Sequence, residues 1–514
     1  MEERESQSRS RLCGKGSIDY MTIEKGELEF EKVLAFHETP IPGLLIADLP
    51  VHGDSRGWFK ENYQQEKMTK LGLPEFDVVQ NNISFNAELG VTRGIHAEPW
   101  DKFISVGSGR IFGAWVDLRQ GDSFGKVFTA ELDPTKAVFA PRGVGNGFQA
   151  LEENTVYTYL VNDHWSADAD YTFLNLADET VAVDWPIPLD QAELSDKDKI
   201  HPRLSEVVPM KPKRTLITGS NGQLGRALQI EFPDAEFTDY QELDITSPEL
   251  ENARPWRQYE TIINVAAYTA VDLAETPEGR EAAWKLNAEA VANLGKIATK
   301  HSITLVHVSS DYVFDGTKAE HNESETFSPL GVYAQTKAAG DIAAAMVPKH
   351  YIARASWVIG DGNNFVRTMQ SLAEKGVKPN VVNDQVGRLT FTDDLARGIK
   401  HLLTPISYPP TAGHLPPTTY HLPYGTYNIS GDGESVSWAN IAADVYELSG
   451  HSRDEVTGVS TEQYYEGKSY ISPRPLQSTL NLDKIKTTGF VPTDWRKSLK
   501  NYLEKEGRQR DESR

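Results

Sequence analysis

A tyrosine and a lysine lie four positions apart in the segment VYAQTKAAG, which starts at Val332 and is typical of a helix. Residues with this spacing share one face of a helix, so Tyr333 and Lys337 are predicted to be neighbours. An ammonium group beside a phenol favours the phenolate and is expected to lower the pKa of Tyr333. A phenol tuned in this way can give its proton to a ketone while the carbonyl carbon accepts hydride, which predicts a carbonyl reductase.

A glycine turn lies further upstream, where Gly219, Gly222 and Gly225 follow the apolar run RTLIT and precede a helical segment. Glycines there let the backbone approach a pyrophosphate, and the helix N-terminus supplies free amides, so the pattern predicts a dinucleotide site. Asp239 ends the next apolar run and favours NADH, because it can accept a hydrogen bond from a ribose 2'-hydroxyl. Arg226 offers a charge to a 2'-phosphate, so the choice between NADPH and NADH stays open.

The elements that must position these residues form an alternating series. From Arg214 onward, short apolar runs such as TIINVAA and ITLVHVSS are separated by helical stretches, which predicts a doubly wound parallel α/β sheet. Ser310 ends one of these runs, at the carboxyl edge where such sheets bind ligands. A proline-rich piece, TPISYPPTAGHLPPTTYHLPYG, is interpreted as a surface loop.

The part of the chain from Gly43 to Trp185 follows a different pattern, with short, aromatic-rich alternating runs broken by Gly, Asp, Asn and Pro. This pattern predicts an all-β barrel or sandwich. In IFGAWVDL, the side chains expected on one face are Phe112, Ala114, Val116 and Leu118. The predicted order is a disordered N-terminus (1–22), a β domain (23–195), a linker (196–212), an α/β domain (213–505) and a disordered tail (506–514).

Composition narrows the function classes. The formal charge of -22 argues against binding of nucleic acid or of an anionic membrane. A single cysteine, Cys13, excludes an internal disulfide framework and a Cys-based zinc site, and it fits a reducing cytoplasm. No apolar run reaches the length of about 20 residues needed to cross a bilayer, and no signal-type region follows the polar N-terminus. We therefore expect a cytoplasmic protein.

The second half resembles the extended short-chain dehydrogenases and, within them, the dTDP-4-dehydrorhamnose reductase family. The resemblance rests on GSNGQLG, NVAAYTAVDLAE, SSDYVFDG, YAQTK, RASWVIG, NDQVGRLTFTDDLA and SPRPLQSTLNLDK, which occur in family order. It implies that Tyr333 is the proton donor, that Lys337 orients the ribose, and that Ser310 polarises the ketone where the family usually has threonine. Where some members carry a metal-binding glutamate this chain has Ala227, so no metal-bridged dimer is predicted.

The same resemblance implies further binding residues. The expected cofactor NADPH, with NADH as the alternative, would contact Gly219, Asn221, Gly222, Gln223, Leu224, Gly225, Asp239, Asp244, Ile245, Ala266, Ala267, Tyr268, Tyr333 and Lys337. The expected sugar-nucleotide contacts in this half are Asp311, Val313, Trp357, Arg388 and Arg474.

The first half resembles the dTDP-4-dehydrorhamnose 3,5-epimerase family, whose fold is a cupin jelly roll. The matching segments are GLLIADLPVHGDSRGWFKENY, RGIH, VDLRQGDSFG, PRGVGNGFQAL, TYLVNDHW and LADETVAVDWP. The resemblance implies that His96 is the base, that Asp178 holds it, and that Tyr159 is the opposing acid. Epimerisation also needs a cation near the enolate oxygen, for which Lys102 and Arg93 are candidates, and Arg56 is a further substrate contact. No metal is expected in this half, because the metal-binding H-x-H pattern is absent. No cofactor is expected either, because the ketone itself acidifies the C3 and C5 protons.

One departure keeps two interpretations open. Asn146 stands where the family commonly has histidine, and an amide can donate a hydrogen bond to an oxyanion but cannot shuttle a proton. The main hypothesis is a bifunctional enzyme that epimerises dTDP-4-dehydro-6-deoxy-D-glucose and then reduces it to dTDP-L-rhamnose, as a homodimer through the β domain. The alternative is a reductase whose β domain only binds nucleotide sugar or dimerises. A wholly non-catalytic binding protein is a third class, against which Ser310, Tyr333 and Lys337 argue.

Overall fold

A computed structural model of the chain describes residues 28–166, 169–407 and 419–512. The predicted disordered N-terminus and half of the proline-rich loop, residues 408–418, lie outside these residues. The chain divides into two compact units, and the break between them falls between Pro212 and Lys213. In the described part of the chain, no helix combines the length and the apolar character that a membrane crossing requires.

The first unit is an all-β sandwich. Its strands are β1 (Ala35–Glu38), β2 (Leu45–Asp48), β3 (Val51–Asp54), β4 (Gly57–Lys60), β5 (Gln80–Asn86), β6 (Thr92–Ala97), β7 (Lys102–Ser108), β8 (Ile111–Asp117), β9 (Val127–Leu132), β10 (Lys136–Ala140), β11 (Val144–Ala150), β12 (Thr155–Val161) and β13 (Thr172–Phe173). Two short helices accompany them, α1 (Gln65–Lys70) and α2 (Asp196–Lys199). One sheet has the order β1-β2-β10-β7-β12-β5 and the other β13-β6-β11-β8-β9, and the pairing is antiparallel throughout both.

Apolar side chains form a core between the two sheets and a second layer on the outer face of one of them. The two sheets face each other across a core that includes Ile104, Trp115 and Phe148. The predicted face of β8 is confirmed, because Ala114, Val116 and Leu118 pack together on the outer side of their sheet, with Phe112 against them. Both faces of β8 are therefore buried, since Ile111 and Trp115 belong to the inner core.

The segment predicted as a linker, 196–212, differs from that expectation. Leu204 and Val207 are buried in the layer that covers the outer face of β8. The backbone of Met210 exchanges hydrogen bonds with Leu118 and Gln120. The apolar residues of this segment pack on the sandwich, and charged residues lie between them. The segment therefore belongs to the β domain up to Met210.

The second unit is built on a parallel sheet. Its remaining strands are β14 (Arg214–Thr218), β15 (Glu236–Thr238), β16 (Tyr259–Asn264), β17 (Thr304–Ser310), β18 (His350–Ala355), β19 (Val358–Ile359), β20 (Asn380–Val382), β21 (Val386–Gly387), β22 (Thr390–Phe391), β23 (Ile406–Ser407), β24 (Thr419–Tyr420), β25 (Gly425–Asn428), β26 (Val436–Ser437) and β27 (Thr457–Val459). The main sheet has the order β15-β14-β16-β17-β18-β25, and its neighbouring strands are all parallel. The chain reverses its direction of travel across the sheet at β14, between β15 and β16.

Helices cover both faces of this sheet, which confirms the predicted doubly wound class. They are α3 (Gln223–Glu231), α4 (Pro277–Trp284), α5 (Ala290–Lys300), α6 (Val332–Ala345), α7 (Phe365–Glu374), α8 (Thr392–Leu403), α9 (Trp438–Leu448), α10 (Thr461–Tyr465), α11 (Asp483–Thr487) and α12 (Trp495–Glu512). On one face α3 and α8 pack on the strands, and on the other α5 and α6 do so.

A third core joins α7, α9 and α12 beside the sheet. Helix α12 runs into the stretch predicted to be a disordered tail, because it continues to Glu512. Leu499 and Leu503 anchor its first half in that core, and the Glu506 carboxylate pairs with Arg367 at 2.7 Å.

Candidate active sites

The α/β unit has a cleft of about 770 Å³ at the carboxyl ends of β14, β16 and β17. This is the position where the strand order reverses and where open α/β sheets bind ligands. The cleft brings together residues from the glycine turn and the predicted proton donor. Predicted cofactor residues that line it are Gly219, Gly222, Gln223, Leu224, Gly225, Asp239, Asp244, Ile245, Ala266, Ala267, Tyr333 and Lys337.

Two glycines of the turn have steric reasons to be glycine. Gly219 has a φ of 69°, and a Cβ there would lie 2.7 Å from the Ala266 backbone nitrogen. A Cβ on Gly225 would lie 2.5 Å from the carbonyl oxygens of Gly219 and Ser220. Helix α3 therefore packs directly on the turn, and its first residues, Gln223 to Gly225, line the cleft. A helix N-terminus in this position is suited to binding a diphosphate.

The residues proposed to choose between NADH and NADPH already have partners. The Asp239 carboxylate accepts a hydrogen bond from the Asn221 backbone amide at 3.1 Å. Arg226 forms an ion pair with Asp361 at 3.2 Å and donates to the Asn221 carbonyl. Both Asp239 and Arg226 line the cleft.

Asn221 and Tyr268 are predicted cofactor residues that are not among the described residues lining the cleft. Tyr268 is tied to the helical segment before α5, because its backbone amide donates to Asn287 Oδ1 at 2.8 Å. Its ring packs with Ala274 and Val332.

Ser310, Tyr333 and Lys337 meet in the cleft, as the sequence predicted. Ser310 is the last residue of β17, and its hydroxyl donates to the Asp311 carboxylate at 3.1 Å and accepts from the Tyr312 amide at 3.2 Å. Burial raises the pKa of Tyr333 to about 12, with a further increase from the Asp311 carboxylate, and the Ser310 hydroxyl opposes both. The phenol is therefore protonated at neutral pH and can act as a proton donor.

The expectation that Lys337 lowers the pKa of Tyr333 is wrong for this structure, because that pKa is raised and Lys337 is not among its causes. The Lys337 ammonium instead donates to the Val308 carbonyl oxygen at 2.7 Å. Burial lowers the pKa of Lys337 to about 8, and the Asp341 carboxylate opposes that decrease. The i,i+4 spacing placed both residues on one face of α6 but did not fix where the flexible lysine side chain ends.

The predicted sugar-nucleotide contacts separate into two groups. Asp311 and Trp357 line the cleft. Burial raises the pKa of Asp311 to about 6. Val313 does not line the cleft, and its side chain is fully buried against Phe314 and Leu480.

Two arginines predicted to bind the sugar nucleotide are held by protein groups outside the lining of the cleft. Arg388 is buried, donates to the Leu480 carbonyl oxygen and lies 3.6 Å from Asp432. Arg474 makes a two-pronged contact with the Asp272 carboxylate, at 2.7 and 2.8 Å. Both guanidinium groups therefore organise loops at the edge of the site in this structure.

In the β unit, His96 has a carboxylate partner, but the predicted partner is wrong. The His96 Nε2 atom is 2.9 Å from Asp198 Oδ1, and Asp198 lies on α2. Asp178 instead accepts hydrogen bonds from the backbone amides of Thr180, Val181 and Leu204. Asp178 thus closes a turn and fixes the start of the segment after α2, whereas Asp198 is the group that orients His96.

A second polar cluster lies inside the sandwich. Asn146 and His96 are directly opposite each other on β11 and β6, so their side chains project to the same side. The Lys102 ammonium donates to Asn146 Oδ1 at 2.7 Å and forms an ion pair with Glu98. It also lies 5.1 Å from the centre of the Tyr159 ring. The structure thus brings together four of the predicted epimerase residues: His96, Lys102, Asn146 and Tyr159.

The pKa values in this cluster are set by burial. Burial raises the pKa of Tyr159, and the Glu98 carboxylate adds to the increase, so the phenol keeps its proton. Burial lowers the pKa of Lys102, and Glu98 opposes that decrease. A base, a cation and a phenol on the inside of one sandwich can remove a proton, stabilise an enolate and return a proton.

Comparison with known proteins assigns a family to each of the two units. The family model of the RmlD substrate binding domain matches residues 213–508, and that of dTDP-4-dehydrorhamnose 3,5-epimerase matches residues 38–206. A protein RmlC homolog of Streptococcus pyogenes is 53% identical over 195 residues, which are 36% of this chain and 98% of that protein. A dTDP-4-dehydrorhamnose reductase of Aggregatibacter actinomycetemcomitans is 34% identical over 307 residues, covering 56% of this chain and 97% of the relative. One from Sinorhizobium fredii is 32% identical over 305 residues, with coverages of 56% and 96%.

The chain belongs to both families. An epimerase domain and a reductase domain are therefore joined in one polypeptide. Ala227, which stands where some reductases carry a metal-binding glutamate, is buried on α3 against the sheet of the reductase domain.

Two arginines predicted for the epimerase domain lie at its surface. Arg93 is exposed on β6, where its Nε donates to Asn86 Oδ1 at 3.1 Å. Arg56 is in the turn between β3 and β4, with 87% of its side chain exposed, and pairs with Asp54. Within this single chain Arg56 belongs to the hairpin and not to the cluster around Lys102.

Sequence reasoning missed three residues of the epimerase domain: Glu98, Asp198 and His201. His201 packs edge-on against His96, and the ligand atoms of His96, Asp198 and His201 lie within 4.8 Å of one another, close enough to share a metal ion. The hydrogen bond between His96 and Asp198 already accounts for two of the three groups. The Ser195-x-x-Asp198 spacing marks the start of α2, since Ser195 caps the helix by accepting from the Asp198 amide, but it does not indicate that the Asp198 carboxylate contacts His96.

Proposed function

We propose that the chain converts dTDP-4-dehydro-6-deoxy-D-glucose into dTDP-L-rhamnose in two steps, with a separate site for each. The epimerase domain inverts C3 and C5, and the reductase domain reduces the C4 ketone. The observation that carries the proposal is the presence of both catalytic clusters in one chain: His96 with Asp198, and Tyr333 with Ser310 and Lys337. Because epimerisation is reversible and reduction removes its product, joining the two domains also raises the local concentration of the intermediate.

In the epimerase domain, His96 is proposed to remove the protons at C3 and C5, which the neighbouring ketone makes acidic. Asp198 holds the imidazole through one nitrogen and stabilises the imidazolium that forms. Lys102 and the Asn146 amide stabilise the enolate oxygen, and the protonated Tyr159 phenol returns a proton to the opposite face. This chemistry requires no cofactor.

In the reductase domain, Tyr333 is proposed to donate a proton to the C4 oxygen, with Ser310 as the second hydrogen-bonding group on that oxygen. A nicotinamide cofactor supplies the hydride. The close packing of Gly219 and Gly225 fits its diphosphate, because any side chain there would fill the space beside the turn. The Lys337 ammonium, next to Tyr333 on α6, is suited to holding the ribose hydroxyls and to making the site more positive.

NADPH is the proposed hydride donor, and NADH is the second candidate. Arg226 faces the cleft and supports a 2'-phosphate, whereas the Asp239 carboxylate supports a free 2'-hydroxyl. The ratio of kcat/KM for the two cofactors tests the choice. A reducing compartment such as the cytoplasm suits the single cysteine, Cys13.

A homodimer through the epimerase domain is also proposed. The hairpin β3–β4 exposes Phe59 (70%) and part of Trp58, and the edge strand β5 exposes Ile83 (69%) and Phe85. Apolar side chains on a hairpin and an edge strand are features that a second copy would cover. Sedimentation analysis of the full chain and of Phe59→Glu tests this, since the variant is expected to be monomeric.

The competing function is a reductase whose β domain only binds nucleotide sugar, and Asn146 is the observation that favours it. The deciding experiment gives the purified chain NADPH and unepimerised dTDP-4-dehydro-6-deoxy-D-glucose, with no other enzyme, and identifies the sugar product. Formation of dTDP-L-rhamnose supports two working sites. A preparation that reduces only substrate epimerised beforehand would establish the competing function.

A further inference from the structure

The buried ion pair between Glu98 and Lys102 has no assigned role in the reaction proposed for the epimerase domain. The two side chains are 11% and 6% exposed. Ion pairs buried this deeply add little net stability, because both groups must be removed from water. Their presence beside the catalytic cluster therefore calls for a functional explanation.

Lys102 is the centre of the contacts. Its ammonium group is shared between the Glu98 carboxylate and Asn146 Oδ1, and it lies over the Tyr159 ring. The Asn146 amide nitrogen in turn donates to the Tyr157 hydroxyl at 3.0 Å. The Glu98 carboxylate, the Asn146 amide oxygen and the Tyr159 ring thus all contact the Lys102 ammonium and hold it in place.

The titratable groups around Lys102 are few. Glu98 comes from the stretch between β6 and β7, Tyr157 and Tyr159 come from β12, and His96 lies beyond Asn146 on β6. Of these, Glu98 is the group that supports the charge of Lys102, while burial opposes it. The same carboxylate raises the pKa of Tyr157 and Tyr159.

We propose that Glu98 is a positioning residue of the epimerase site, whose carboxylate keeps Lys102 a cation and aims it at the position of the enolate oxygen. The arrangement compensates for Asn146, because an amide cannot carry the positive charge that a histidine could supply there. This inference rests on the proposed epimerase function, in which Lys102 stabilises the enolate.

The test uses uptake of solvent deuterium at C3 and C5 of dTDP-4-dehydro-6-deoxy-D-glucose by the full chain, without NADPH so that reduction cannot occur. The wild-type rate is measured as a function of pH and compared with that of Glu98→Gln. Without the carboxylate, Lys102 loses its proton at lower pH, so the alkaline decline of kcat is expected to move down by about 1 to 3 pH units. KM is expected to change little, because Glu98 does not touch the substrate.

Two further variants separate this role from others. Glu98→Asp keeps the charge at a shorter reach, so it is expected to keep the wild-type alkaline limb with a lower kcat. If Glu98→Gln does not fold, Glu98→Asp is compared with the wild type in its place. Lys102→Arg stays cationic at all these pH values, and adding Glu98→Gln to it is expected to shift the limb much less. An equal shift in both backgrounds would mean that Glu98 acts through Tyr159, which overturns the proposal.

An unchanged pH profile in folded Glu98→Gln would also overturn it and would leave the ion pair a structural feature. Failure of the proposed function gives a different result, since the wild-type chain would then take up no deuterium at any pH. Thermal unfolding of each variant shows whether the domain is folded, and reduction of substrate epimerised beforehand is expected to be equal in all of them.

Discussion

The two active sites assemble their proton-handling groups in opposite ways. In the reductase domain, Ser310 ends β17 and both Tyr333 and Lys337 lie on α6, so two consecutive elements build the site. In the epimerase domain the five groups come from five elements: His96 from β6, Lys102 from β7, Asn146 from β11, Tyr159 from β12 and Asp198 from α2. The first site is largely local in sequence, whereas the second exists only once the sandwich has closed.

The two sites also treat their lysines differently. Burial lowers the pKa of both Lys337 and Lys102. Lys102 has a carboxylate in direct contact, whereas Lys337 donates to a backbone carbonyl oxygen and Asp341 acts on it only through its charge. Lys102, as the cation that stabilises the enolate, needs a fixed position. Lys337, as the cation that binds the ribose hydroxyls of the cofactor, benefits from weaker contacts within the protein.

The strongest test of this difference is to disable one site and to measure both epimerisation and reduction. Tyr333→Phe is expected to lower the rate of reduction by about 10²- to 10⁴-fold, because the proton donor is lost, and to leave deuterium uptake unchanged. His96→Asn is expected to show the reverse pattern when reduction is measured with substrate epimerised beforehand. If either variant slowed both steps, the two sites would not be independent.

A second prediction contrasts the two aspartates of the epimerase domain. Asp198→Asn is expected to lower deuterium uptake by about 10²-fold or more with little change in thermal unfolding, because it leaves His96 without an anionic partner. Asp178→Asn is the matched control. It weakens three backbone hydrogen bonds and is expected to cost about 1 to 3 kcal/mol of stability, with the uptake rate of the folded protein retained. Equal rates of deuterium uptake in the two variants would mean that Asp178 contributes to catalysis as much as Asp198 does.

The lysine contrast gives a prediction for pH. Lys337 acts as a cation, and with a pKa of about 8 it is charged below that pH and neutral above it. The kcat/KM of reduction is therefore expected to be constant below about pH 8 and to fall about tenfold per unit above it. Lys337→Arg should lower the rate but remove this limb, since a guanidinium stays charged. Persistence of the limb in that variant would assign it to another group.

The smallest expected effect concerns cofactor choice. Arg226→Gln is expected to raise the KM for NADPH by about threefold to tenfold and to leave that for NADH nearly unchanged, because the charge lies at the surface and is shared with Asp361. Asp239→Asn is the complementary variant and should favour NADPH. Equal changes in the KM for NADPH and for NADH would show that Arg226 does not contact the group at the ribose 2'-position.

Features that depend on short sequence spacing could be predicted from the sequence. The glycine turn, the face shared by Tyr333 and Lys337, and the apolar outer face of β8 all follow from periods of a few residues. The partner of His96 could not be predicted in this way, because Asp178 and Asp198 are both acids far along the chain. Only the packing of Leu204 and Val207 on the sandwich determines which of them reaches the imidazole.

Burial explains the remaining differences. Nothing in the residue type of Val313 or Arg388 tells whether the side chain faces a ligand or the interior, and both are buried. The direction of the Tyr333 pKa was also mispredicted, because desolvation outweighs any nearby ammonium in this structure. Sequence spacing identifies which side chains are neighbours, whereas their pKa values depend on how deeply the folded protein buries them.

The position of Asp198 has a consequence for the genetics of the fusion. The epimerase carboxylate lies in the stretch that the sequence predicted as a linker, and the backbone stays hydrogen-bonded to the sandwich as far as Lys211, whose carbonyl oxygen accepts from Arg142. Strand β14 begins at Arg214. A gene cut at the apparent domain edge near Ser195 would yield a sandwich without the partner of its base.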